Sequence, residues 1–179
     1  MDNVSKSFSN FKIHSQYSIC EGAIKIDELA NYCKDNKIKS IGLCDSYNLC
    51  GALEFAEKIS KIGTQPIIGS QINFLYNDVV GKLPIFAATE VGYKNLIKLS
   101  SKSYLESGEK NEVSCDINEF KKINKDLIIL SGNHLGLFGE LFKLNKTKQI
   151  EEAAKFLKSI FDDKFYFEIQ RHKEVGEES

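Results

Sequence analysis

An α/β fold built on a mainly parallel sheet, doubly wound or closed into a barrel, is what this sequence predicts. Two observations lead there. Runs of strand length alternate along the chain with segments whose apolar residues recur at helical spacing. The run SIGLCD at 40–45 is short, apolar and ends in Asp, as expected of a buried parallel strand. A chain of 179 residues, 42% hydrophobic, also suits one domain with a sizeable core.

The elements follow in order. FKIH (11–14) reads as a short strand. Ile26, Leu29, Ala30 and Cys33 then share one face of a helix running from Ile26 to Asn36, with Asp27 and Glu28 in its first turn. After SIGLCD, residues Ala52, Phe55, Ala56 and Ile59 repeat the helical spacing, and Gly63 supplies a stop. QPIIGSQINFLY (65–76) is strand-like, with Pro66 at its start, where a missing N–H is tolerated. LPIFAA (83–88) is another strand, and Tyr93, Leu96, Ile97, Ser100 and Tyr104 mark a helix. ESGEKNEVS (106–114) reads as a surface loop. Asp116 with Glu119 resembles a capping box opening a short helix over INEFKK. DLIILSG (126–132) is the clearest strand. LFGELFKL (137–144) and the segment around Ile150, Ala153, Ala154 and Leu157 are helical, and FYFEIQ (165–170) closes the series as a strand.

Composition narrows the function classes. A net charge of −1 and 27% charged residues describe a globular chain without the basic footprint of a stand-alone nucleic-acid binder. Five cysteines (Cys20, Cys33, Cys44, Cys50, Cys115) lack CxxC spacing, so they predict neither a disulfide framework nor a zinc ribbon. They are expected to be small buried hydrophobes in a reducing cytoplasm. The polar opening MDNVSKSFSN has no apolar core of a signal peptide, and no apolar run reaches membrane-spanning length. A cytoplasmic protein with no membrane partner is the expectation.

In α/β architectures the chemistry sits at the C-terminal ends of strands. That rule selects His14, Asp45 and Ser46, a GSQ turn at 69–71, Asn133 and His172. The three histidines, His14, His134 and His172, all fall at or just after predicted strand ends, yet so few cannot fill a polynuclear metal site alone. Asp45 and Glu21 add carboxylates. Asp45 better suits an acceptor of backbone N–H bonds in the turn that follows it, and Glu21 equally suits a solvated loop residue. GxxxxGK[ST], GxGxxG and GxSxG are absent, and Lys121, Lys122 and Lys125 read as a solvated helix face.

Five blocks in order carry a family resemblance: IHSQYSICEGA, IGLCDSYNLCGALEFAEKISKIGTQPIIGSQINF, AATEVGYKNLIKLSSKSY, LIILSGNHLGLFGELF and FYFEIQRH. Together they resemble the PHP (polymerase and histidinol phosphatase) domain, in the form that opens bacterial DNA polymerase III alpha subunits. Residues 1–9 would be a polar extension and 10–179 the domain. The resemblance implies a distorted, TIM-barrel-like parallel β/α barrel. In its active form the family holds a polynuclear metal centre. The family's HxH reads Lys12-Ile13-His14 here, and its next acidic residue is kept as Glu21. A histidine after the second strand's Asp45 is replaced by Ser46, and a bridging glutamate by Gln71. A further histidine corresponds to Lys82, a Cys or His to Asn133, and the histidine after E-I-Q-R is kept as His172. A final Asp-x-His motif would lie beyond Ser179, so the barrel is expected to be C-terminally incomplete, with an open sheet edge that destabilises the isolated chain.

These replacements imply a degenerate site. A protonated lysine offers donors only and repels divalent cations. No metal, cofactor or catalytic residue is therefore expected here, with His14, Glu21 and His172 as weak candidate ligands. The resemblance implies a structural part of a DNA-directed DNA polymerase, a nucleotidyltransferase whose own site uses Mg in a region outside this chain. Its implied partners are the proofreading exonuclease (epsilon) subunit, the rest of the polymerase III holoenzyme and, through the full-length polymerase, DNA. The alternatives are a stand-alone metal-dependent phosphoesterase of the histidinol-phosphatase kind, with Zn or Mn, and a free-standing binding module.

Overall fold

The computed structural model describes residues 8–105 and 112–170. Helix α1 (Ile26–Asp35) leads into strand β1 (Ser40–Ser46), helix α2 (Ala52–Lys61), and two long strands, β2 (Gln65–Tyr76) and β3 (Val79–Ala87). Helix α3 (Glu90–Leu105) follows. Beyond it come a two-residue strand β4 (Cys115–Asp116), a 3-10 turn (Ile117–Lys121), strand β5 (Leu127–Leu130), helices α4 (Leu137–Lys143) and α5 (Thr147–Phe161), and the short strand β6 (Phe165–Tyr166). The sheet runs β1-β2-β3-β5-β6, with β4 pairing β2 off this path.

The sheet is mixed, which corrects the expected parallel arrangement of its strands. β3 lies antiparallel to both β2 and β5, whereas β1–β2, β2–β4 and β5–β6 are parallel. The physical reason is a two-residue turn. Tyr76 pairs with Val79, so Asn77 and Asp78 alone reverse the chain, and Asn77 takes the left-handed φ of 55°. A connection that short permits only antiparallel pairing. Accordingly β3 starts at Val79, four residues before the run seen in the sequence. The supposed GSQ turn at 69–71 is mid-strand, since β2 continues to Tyr76.

FKIH does not form a regular strand. The backbone of Asn10 accepts from Gly42 N–H at 2.7 Å and that of Ile13 from Cys44 N–H at 2.8 Å. Three steps along one chain thus match two along the other, and the extra residue breaks the ladder as a bulge does. Gly42 makes the approach possible, because a Cβ there would lie 2.2 Å from the Phe11 carbonyl oxygen. At the other end, β6 keeps only two residues of the expected FYFEIQ. Among the described residues no backbone hydrogen bond joins 165–170 to the 8–13 run, and no closed barrel is seen.

Two apolar clusters hold the layers. One packs α1 and α2 on β1 through Ile26, Leu29, Cys33, Leu43, Phe55 and Ile59. The larger joins β2, β3 and β5 to α3, α4 and α5. Phe120 is its pivot, stacked on Phe74 at 4.4 Å and edge-on to Phe161 at 5.0 Å, all three buried. Truncating such a ring costs about 3–5 kcal/mol. Asp116 caps the 3-10 turn by accepting from Asn118 N–H at 2.7 Å. Glu119 turns to Lys102 and Lys122 instead of completing a capping box. Cys33, Cys44 and Cys115 are buried as expected, but Cys20 and Cys50 are exposed. Most of the 106–114 loop lies outside the described residues. Among the described residues no helix is long and apolar enough to cross a membrane.

Candidate functional site

Register places the site. Ser46 of β1 is paired with Gln71 of β2, and Asn73 of β2 with Lys82 of β3, so these side chains form a row across three strands. Loop 15–24 folds over that row. It is tied at its base by a bridge between Ser15 and Ile24 and by Gln16 N–H to the Ile24 carbonyl at 2.9 Å. A second bridge, Lys82 with Gly136, draws in the loop after β5 that carries Asn133.

Three polar networks result. The first is directional. Gln71 Nε2 meets His14 Nε2 at 3.1 Å and donates to Ser46 Oγ at 3.3 Å. Ser46 Oγ donates to Glu21, which also accepts from the Lys82 ammonium. Lys82 lies 5.1 Å from the centroid of the Tyr47 ring. Tyr47 holds a left-handed φ of 65°, a strain of about 1 kcal/mol. Its N–H donates to the Gln71 carbonyl at 2.8 Å, which fixes that conformation.

In the second network, Lys12 donates to Glu168 Oε1 at 2.5 Å, and Gln170 Nε2 donates to the same oxygen at 2.5 Å. Asn133 Nδ2 donates to Gln170 Oε1 at 3.2 Å, while Asn133 Oδ1 accepts from Leu135 N–H at 2.9 Å. Lys12 and Glu168 retain only 13% and 12% side-chain exposure.

The third network surrounds Asp45, which is 1% exposed. Its carboxylate accepts from Ser15 N–H at 2.6 Å, Ser15 Oγ at 2.8 Å and Ser18 Oγ at 2.7 Å. Asp45 is therefore a structural acceptor, and its donors lie in the preceding loop, not in the turn that follows.

The electrostatics follow from burial. His14 is pushed below its ordinary value chiefly by burial and by the ammonium groups of Lys12 and Lys82, although Glu21 and Asp45 oppose this. Burial alone would raise Glu21. The hydrogen bonds from Lys82 and Ser46 outweigh it and hold the carboxyl low. Lys82 is held high for the reciprocal reason: its contacts with Glu21 and Tyr47 overcome burial. Among the described residues no three His, Cys, Asp or Glu side chains converge so as to hold a metal ion.

Of the residues selected from the sequence, His14, Glu21, Ser46, Gln71 and Lys82 meet in one network, and Lys12 and Asn133 in another. His134 is exposed, and His172 lies outside the described residues. Glu168, Gln170, Tyr47, Ser15 and Ser18 were not anticipated. A charged residue inside the apolar run FYFEI was the signal for Glu168.

A mixed sheet flanked by helices, with polar side chains gathered from strand ends and loops, defines a mixed α/β protein. The PHP domain family's profile matches residues 10–172, and the chain belongs to that family. Curated relatives include DNA polymerase III alpha subunits. It is 34% identical over 176 residues to that of Buchnera aphidicola subsp. Acyrthosiphon pisum (strain APS), covering 96% of this chain and 15% of the relative. The subunit of Caulobacter vibrioides (strain NA1000 / CB15N) is 35% identical, with 96% and 16% covered. That of Rickettsia bellii (strain RML369-C) is 36% identical, with 92% and 14% covered. The chain thus spans about 15% of the length of the curated relatives it matches. A solved amidohydrolase from Chromobacterium violaceum overlays 82% of this chain and 54% of its own, at TM-score 0.41 and 12% identity, too loosely to carry an argument.

Proposed function

We propose that this chain is the N-terminal PHP portion of the alpha subunit of a bacterial replicative DNA polymerase III. In this reading its sheet belongs to a β/α barrel whose metal site is retired. The domain then braces the polymerase and helps dock the proofreading exonuclease subunit in the cytoplasm. Templated nucleotidyl transfer, with its Mg, belongs to other parts of such a subunit.

One observation carries the loss of metal chemistry. Five positions where the family resemblance implies ligands hold Lys12, Ser46, Gln71, Lys82 and Asn133, and the two lysines are paired with Glu168 and with the retained Glu21. Ammonium groups bring positive charge and only donors to a place where a divalent cation needs lone pairs. Serine and carboxamide oxygens are weak ligands for Zn, and Gln71 removes the charge required to bridge two ions. Such a donor set does not fit a polynuclear centre, and no catalytic step is assigned to it.

The test is elemental analysis of the purified chain after exposure to Zn²⁺ and Mn²⁺, alongside a Lys12→His, Ser46→His, Gln71→Glu, Asn133→Cys variant. The parent should hold no stoichiometric metal and should not hydrolyse a phosphomonoester. Two or three tightly bound ions per chain would sink the reading and favour a phosphoesterase instead. Co-purification of the parental full-length subunit with its exonuclease, lost when the PHP portion is deleted, supports the docking role.

A further inference from the structure

We infer that Lys12 and Lys82 act as built-in cations that latch two seams of this fold shut, the work a bound metal would do by cross-linking carboxylates. The inference rests on the metal-free reading above and goes beyond it, since a site can lose its ligands without acquiring any substitute.

The first seam lies between the 8–13 run and residues 165–170, which stand at opposite ends of the strand order. A cleft of about 710 Å³ separates them, lined by Phe8, Phe11, Lys12, Leu130, Glu168 and Ile169. Among the described residues, the Lys12–Glu168 pair is the one hydrogen bond or ion pair that crosses it. Glu168 Oε2 is buried without a partner, so this carboxylate depends for its charge balance on Lys12. The Glu168 backbone is itself fixed, its N–H donating to Ser131 Oγ at 2.9 Å.

The second seam lies between loop 15–24 and β3. Here the Lys82 ammonium holds Glu21 from above the Tyr47 ring, with Ser46 on the second carboxylate oxygen. Side-chain exposures of 20% for Lys82 and 35% for Glu21 leave this pair less sheltered than the first. Both differ from the open helix pairs such as Lys94 with Glu90, exposed at 65% and 80%, which contribute little. A sheltered pair has a different signature: losing one partner strands the other charge, whereas losing both relieves it.

Double-mutant cycles in the whole chain test this. Lys12→Met and Glu168→Gln should each lower the midpoint of thermal unfolding by about 5 °C. The double variant should regain part of that loss. Lys82→Met and Glu21→Gln should behave alike with a smaller shift, and EDTA should move none of these midpoints. Losses that simply add within a pair would overturn the latch for that pair. If Lys12→Met fails to fold, adding Glu168→Gln should restore a soluble folded chain, and failure to restore it overturns the proposal. Metal content of the parent separates the two ideas. Bound metal defeats the metal-free reading, whereas additive cycles in a metal-free chain defeat only the latch.

Discussion

Ser18 stands between Asp45 and the residue after it: its hydroxyl donates to Asp45 Oδ1 at 2.7 Å and accepts from Ser46 N–H at 3.0 Å. One serine thereby sets both the loop over the site and the end of β1. Asp45→Ala would leave Ser15 N–H, Ser15 Oγ and Ser18 Oγ without their acceptor in a fully buried spot. The expected loss is about 3–5 kcal/mol in urea unfolding. Asp45→Asn keeps the shape and one acceptor oxygen, so it should lose less. Equal stability of the alanine variant would contradict the structural role.

Gly42→Ala drives a methyl group into the Phe11 backbone, with its carbonyl oxygen at 2.2 Å and Cα at 2.6 Å. The contact is backbone, so no rotamer relieves it, and a loss of about 2 kcal/mol is expected. The amide of Cys44, bonded to the Ile13 carbonyl, should exchange faster with solvent. Unchanged exchange there would mean the 10–13 run is held by something else.

His14 should be neutral in the folded chain with its proton on Nδ1. The Gln71 amide donates to Ser46 Oγ and directs its second hydrogen at His14 Nε2, which must then accept. That leaves Nδ1–H buried without a partner. Nitrogen NMR should find this tautomer and a titration midpoint below 6.5. A lowered histidine contributes stability that is complete above 6.5 and fades as pH falls through the folded value. Gln71→Glu should move the midpoint upward, because a carboxylate favours the imidazolium.

Glu21 and Lys82 predict opposite limbs of a stability profile. The Glu21 carboxyl is held below its ordinary 4.5, so its contribution is present above 4.5 and lost as pH falls through the folded value. Lys82 is held above its ordinary 10.5, so its contribution is present below 10.5 and lost as pH rises through the folded value. Glu21→Gln should flatten the acid limb and Lys82→Met the alkaline limb of unfolding midpoints measured against pH. Profiles parallel to the parent's would rule out the pair as their source.

The helices were legible because periodicity is a local property. Ile26, Leu29, Ala30 and Cys33 are all buried, and α1 ends one residue before the expected Asn36. Strand direction was less so. The Asn77–Asp78 reversal is a recognisable turn pair, but Val79 to Lys82 lacked the apolar run used to start a strand. His14, Asp45, Ser46, Asn133 and His172 follow from their place at strand ends, and Lys12, Glu21 and Lys82 from the family resemblance, yet their partners depend on register and on contacts across the fold. Lys12 and Glu168 are 156 residues apart, and no local pattern joins them. Asp45 left both a ligand and a turn-acceptor role open for the same reason: a carboxylate at a strand end reads alike whether it faces a metal or, as here, three hydroxyl and amide donors.

The tight reversal at Asn77–Asp78 has a consequence for how the chain finds its shape. It makes β2 and β3, the two longest strands, neighbours in sequence as well as in space, with eight residue pairs from Gly69–Phe86 to Tyr76–Val79. Hairpins close in about 1–10 μs, whereas parallel partners wait for an intervening segment to be traversed and its loop entropy to be lost. β1 must be reached across α2, and β6 across α4 and α5. The ladder that carries Gln71, Asn73 and Lys82 is thus the one with the shortest search, and the slower strands have a standing template on which to condense.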